Sequence, residues 1–170
     1  MHSRFIPFAA LALLAAPAHA AILGSDAAVC TNPAASAVLV RIEGFKARTG
    51  MVRVQVYSST PGEWLAKGKK LRRIELAVTP SGAMDVCIAV PGPGRYGIAV
   101  RHDVDGEGKS GWDDGAGFSR NPALSLLKLK PDFANVAVPV GQGPRAIDVV
   151  LNYRSGFSIR PVAIRPAGHN

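Results

Sequence analysis

Tyr96-Gly97-Ile98-Ala99-Val100-Arg101-His102-Asp103 alternates along its whole length. Tyr96, Ile98, Val100 and His102 fall on one side of an extended chain, and Gly97, Ala99, Arg101 and Asp103 on the other. Successive side chains of a strand point to opposite faces, so this segment reads as a strand with one apolar face and one mixed face. Working outward, the same period recurs in Met84 to Val90, Arg73 to Val78, Val52 to Tyr57 and Val38 to Glu43. Downstream it recurs in Val136 to Val140 and in Ile147, Val149, Leu151 and Tyr153. Turn residues separate the segments: Thr49-Gly50, Pro80-Ser81-Gly82, Pro91-Gly92-Pro93-Gly94 and Gly141-Gln142-Gly143-Pro144.

About seven short strands with a single apolar face predict an all-β fold: a two-sheet antiparallel β-sandwich of the immunoglobulin-like or transthyretin-like kind. Composition agrees. The 18 Gly and 13 Pro in 170 residues suit turns better than long helices, and 48% hydrophobic residues exclude a wholly disordered chain. There is no internal repeat and no heptad pattern. The expected organisation is a signal peptide over 1–20, an N-terminal arm over 21–35, the sandwich over 36–153 and a basic tail over 154–170. The segment Pro122 to Lys130 allows one or two helical turns, and the tail is expected to be mobile or to add at most an edge strand.

The start of the chain carries an address. His2, Ser3 and Arg4 precede the apolar run Phe5 to Ala16, and Ala18 and Ala20 fit the small-residue rule for signal cleavage. The run is about 12 residues, against roughly 20 for a bilayer span. Cleavage after Ala20 is expected, with a periplasmic or secreted product and no transmembrane helix in the mature protein. An oxidising compartment then favours a disulfide between Cys30 and Cys87, the only two cysteines. Cys87 alternates onto the face opposite Met84, Val86, Ile88 and Val90, so the bridge would pin the arm across the outer face of a sheet.

Several chemistries are excluded by what is missing. Only His102 of the four histidines is placed within the fold, and it continues the apolar face of Ile98 and Val100. It reads as closing the core at a strand end, which leaves neither a zinc ligand set nor a Ser-His-Asp base. No P-loop, dinucleotide fingerprint or nucleophile elbow occurs. No enzyme is expected. The basic run Lys67, Lys69, Lys70, Arg72 and Arg73, beside Trp64, reads either as a solvated loop or as a contact for anionic surface polymers or an anionic membrane surface. An exported protein seldom meets nucleic acid, so none is expected as a partner.

The densest chemical signal is Asp103 to Asp114. Laid on the twelve-residue calcium loop, Asp103, Asp105 and Glu107 take positions 1, 3 and 5, Gly108 the sharp turn at 6, the Lys109 carbonyl position 7 and Asp114 position 12. Five of the chain's 12 acids sit here with only Lys109 opposing. Two readings stand: the acids take calcium, or they face solvent and pair with Arg101 and Arg120.

The run Gly94-Arg95-Tyr96-Gly97-Ile98-Ala99-Val100, then His102-Asp103-Val104-Asp105-Gly106-Glu107-Gly108-Lys109, and later Gly117-Phe118-Ser119 resembles the DUF2141 family of exported bacterial proteins. Pro131-Asp132-Phe133-Ala134-Asn135-Val136 is similar to a second family region. Gly97 stands where the family often has Ala, and Glu107 where Asn or Asp is common. The resemblance covers about Val38 to Tyr153 and implies a single β-sandwich outside the cytoplasm, with no known activity. The expected function is an exported binding module of unknown ligand with a calcium-binding acidic loop. The alternative is an envelope interaction protein that contacts surface polymers or a protein partner through its basic loops.

Overall fold

The computed structural model describes residues 21–162. The expected signal peptide over 1–20 and the end of the basic tail lie outside them. Among the described residues eleven strands form: β1 (Ile22–Leu23), β2 (Ala37–Glu43), β3 (Met51–Tyr57), β4 (Arg72–Ala77), β5 (Met84–Ala89), β6 (Gly94–Asp103), β7 (Gly115–Phe118), β8 (Ala137–Val140), β9 (Pro144–Val150), β10 (Asn152–Ser155) and β11 (Ser158–Pro161). A 3-10 turn spans Ala27–Thr31, and a single helical turn, α1, spans Phe133–Val136. One sheet has the order β1-β5-β2-β9; the other runs β11-β10-β7-β6-β3-β4, with β8 also on β6. The two stack face to face as a β-sandwich.

The inward rows are the ones the alternation marks. Val38, Val40 and Ile42 face Val52, Val54 and Val56 across the interior, with Met84, Val86, Ile88, Ile98 and Val100 completing a core at most 2% exposed. Each such side chain contributes about 1.5–3 kcal/mol on burial. His102 closes this core at the end of β6, wholly buried. Its Nε2 faces the Thr49 carbonyl at 2.9 Å and so carries the hydrogen; Nδ1 then accepts from the Tyr153 hydroxyl at 2.6 Å. Burial pushes the Tyr153 hydroxyl up to about 12, which keeps it a donor at neutral pH.

Three expectations need correction. The smaller sheet is mixed, not antiparallel: β9 runs parallel to β2, and β1 parallel to β5. Neither pair is joined by a hairpin, so turn geometry does not force opposite directions. The alternation from Ile147 to Tyr153 is two strands, because the chain passes from one sheet to the other at Leu151, whose amide donates to the Glu43 carbonyl at 2.9 Å. Pro122 to Lys130 forms no helix: Ser125 and Lys128 exchange main-chain hydrogen bonds of 3.0 and 3.3 Å, closing a tight turn instead. The start of the tail adds the edge strand the sequence allows: β11 pairs with β10 at one border of the larger sheet.

The N-terminal arm is pinned as the alternation implies. A Cys30–Cys87 disulfide joins Cα atoms 5.9 Å apart. Asp26, 2% exposed, accepts two hydrogen bonds from the Arg72 guanidinium and one from the Ala89 amide at 2.9 Å.

The outer face of the larger sheet is partly roofed by a second apolar cluster. Trp64 sits over Gly97, where a Cβ would come within 2.6 Å of the indole, and it packs on Tyr57, Phe118 and Phe133. Ser119 ties the region together where β6 changes partner from β7 to β8. Its hydroxyl accepts the Ile98 amide at 3.0 Å and donates to the Val136 carbonyl at 2.5 Å.

Candidate metal centre

The acidic loop leaves the end of β6 and returns into β7, so both of its stems are fixed in the larger sheet. Between them the chain turns twice on glycine, Gly106 at φ 74° and Gly108 at φ 79°, a region that side chains other than glycine enter at a cost. Those turns aim main-chain amides at carboxylates. Asp103, 2% exposed, accepts Gly106 N–H on Oδ1 at 3.1 Å and Gly108 N–H on Oδ2 at 2.9 Å. Asp114 accepts Val104 N–H at 3.2 Å and Gly111 N–H at 2.9 Å, stapling the two stems. Asp105 accepts Glu107 N–H at 3.1 Å.

This folding brings Asp103, Asp105 and Asp114 together: one carboxylate oxygen of each lies within 4.8 Å of the others. Three hard, anionic oxygens at that spacing suit an oxygen-liganded dication. Glu107 is exposed and outside the group, so position 5 of the calcium-loop alignment supplies no ligand to it. The Lys109 carbonyl is also diverted, since it accepts a hydrogen bond from Arg101.

Arg101 is the feature that loop spacing does not reveal. Its side chain, 17% exposed, lies under the loop with Nη2 2.9 Å from Asp103 Oδ2 and Nε 3.2 Å from Asp114 Oδ2. Nη1 also donates to the Gly108 carbonyl at 3.4 Å. The guanidinium therefore offsets part of the loop's charge from beneath. Arg120, the other expected partner, donates instead to the Ala134 carbonyl at 2.8 Å. Asp113 is engaged by Lys46 at 2.7 Å, whose hydrogen bond holds its carboxyl below the usual value. The signal for Arg101 was present in the alternation, which puts it on the same outward face as Asp103.

The basic run is dispersed. Arg72 is committed to Asp26, Arg73 to Glu75, and Lys69 to Glu63 at 3.2 Å. Lys67 and Lys70 are exposed and form no ion pair among the described residues. Trp64, expected beside the basic run as part of a contact surface, is 6% exposed, and its Nε1 donates to the Pro131 carbonyl at 2.8 Å. A basic run follows it in sequence, but the loop folds back over Gly97. The exposed tryptophan is Trp112, in the acidic loop, with Arg154 3.5 Å above its ring.

No described helix is long and apolar enough to cross a membrane. Residues 40–148 match the model of a family described as "Uncharacterized protein conserved in bacteria (DUF2141)". No curated protein and no solved structure matches the chain.

Proposed function

The chain belongs to the DUF2141 family, whose description assigns no activity, and from the chemistry of its own loop we propose that it is an exported β-sandwich binding module that takes a calcium ion. The observation that carries the reading is the convergence of Asp103, Asp105 and Asp114 within 4.8 Å. Asp103 and Asp114 are held in place by amides, so the site is built before an ion arrives. Each carboxylate keeps lone pairs beyond those its hydrogen bonds use, since a carboxylate offers about four acceptor sites. Calcium fits better than magnesium, because it accepts irregular, partly hydrated oxygen shells, whereas magnesium demands a tight octahedron. Competition from Arg101 and the loss of Glu107 and the Lys109 carbonyl favour weak affinity, about 10⁻⁴–10⁻³ M, in the range of extracellular modules.

The reading includes no catalysis. His102, the one histidine among the described residues, has both ring nitrogens engaged inside the core. Export is supported by the leader-like apolar run Phe5 to Ala16 and by the disulfide, which persists in oxidising compartments.

The test is melting temperature against calcium at fixed ionic strength. Calcium at about five times its dissociation constant adds about 1 kcal/mol by linkage, a rise of about 3 °C. Asp105→Asn removes a triad charge while leaving Asp103 to hold the turn, and it abolishes the response. Glu107→Gln, outside the triad, leaves it intact. Equal responses in wild type and Asp105→Asn would refute the site.

A further inference from the structure

On the outer face of the larger sheet, between the acidic loop and the Ser125–Lys128 turn, lies a cleft of about 500 Å³. That is within the range of small-molecule sites, roughly 300–1,000 Å³. Its floor is Ala99, Ala116 and Phe118, and its walls are Leu124, Leu129 and Trp112, with Ile159 of the terminal hairpin at one end. An outward sheet face is ordinarily polar and wet; this one is apolar where the roof of Trp64 and Phe133 stops short.

Two independent observations point to a ligand and to its chemistry. First, among the described residues six large apolar side chains are exposed. Three of them, Trp112, Leu126 and Leu129, line this cleft, and Leu127 and Phe157 lie on the same turn and terminal hairpin outside its lining. Apolar exposure concentrated at one concavity marks a binding surface rather than scattered surface residues. Second, the charges lining the cleft are not equally committed. Arg101 and Asp114 are spent on each other and on the acidic loop. Arg154 stacks on Trp112 and donates Nε to the Gly156 carbonyl at 3.1 Å, but forms no ion pair among the described residues. The one uncommitted charge in an apolar cleft is thus a cation at its rim. Gln55 and Asn152 add neutral hydrogen-bonding groups along the lining.

We propose that this cleft binds a single amphipathic anion, an apolar chain or ring system ending in a carboxylate, with the apolar body on Ala99, Phe118, Leu124 and Leu129 and the head on Arg154. The ligand's tail is desolvated against the sheet, and its head meets a guanidinium already oriented by the Trp112 ring.

The experiment is calorimetric titration of the purified protein with decanoate below its micellar concentration, and with decanol as the neutral comparator. It is run in chelator, so that its outcome is independent of the calcium reading. One-to-one binding with a dissociation constant of about 0.1–1 mM is expected for a ligand of this size. Arg154→Gln weakens decanoate about fivefold to tenfold and leaves decanol unchanged. Leu129→Glu, at a position 54% exposed and so tolerant of charge, abolishes both. Absence of saturable binding, or equal affinities in wild type and Leu129→Glu, overturns the proposal. So does sedimentation with phosphatidylglycerol vesicles in a protein that takes up no decanoate, because the face would then dock on a bilayer rather than enclose a molecule.

Discussion

Asp26 shows how one side chain can fix an arm that has no core of its own. Burial raises its carboxyl, but the hydrogen bonds from Arg72 and the Ala89 amide, with the charge of Arg72, outweigh that and hold it below its ordinary value of 3.8. A carboxyl with a depressed folded pKa stabilises the fold fully above the unfolded value. That stabilisation drains away as pH falls from about 4 toward the folded pKa. Asp26→Asn should cost about 1–3 kcal/mol at pH 7, the price of a charged pair reduced to a neutral one. It should also flatten the acid limb relative to wild type. Urea midpoints of both proteins between about pH 2 and 7 check this; parallel acid limbs would show that other carboxyls, such as Glu75, carry the loss.

At the scale of elements, β7 marks the limit of what alternation can convey. Its inward positions are Gly115 and Gly117, where a Cβ would lie 2.5 Å from the Tyr153 ring and 2.6 Å from Val149. Tyr153 of the neighbouring β10 and Val149 of β9 in the other sheet fill the core on their behalf, so the segment lacks the apolar row that made β2, β3, β5 and β6 legible. Gly115→Ala should therefore destabilise by about 1–3 kcal/mol through overpacking. Ala116→Ser, on the outward face of the same strand, should stay within about 0.5 kcal/mol. Denaturant midpoints separate the two. The β10 start was hidden for the opposite reason: the alternation continues unbroken through Leu151 while the chain changes sheets. The acidic loop was legible as charge density, and its glycine spacing located the turns. Which acids converge was not, because that depends on Arg101 reaching under the loop from the strand before it. Trp64 misled because burial was decided by the empty space above Gly97, a residue 33 positions away in sequence.

Across the whole molecule, the disulfide closes a separation of 57 residues and ties the arm to β5. By the loop-entropy relation, such a closure is worth roughly 4 kcal/mol, less any strain. Replacing both cysteines with alanine should lower stability by about 2–4 kcal/mol and make the arm the first segment to exchange its amide hydrogens. A loss below about 1 kcal/mol would mean that Asp26 and β1 hold the arm unaided. The same economy governs the borders of the sheets. β4 bears Arg72, Arg73 and Glu75; β9 opens on Pro144 and carries Arg145 and Asp148; β11 ends in Arg160 and Pro161; β1 is two residues long. An exposed strand is a template onto which another chain can add, and charge, proline and brevity each spoil the template. These borders therefore keep the sandwich from serving as a seed for fibril growth, a safeguard that matters most where a protein is expected to fold beyond the reach of the cell's energy-driven chaperones.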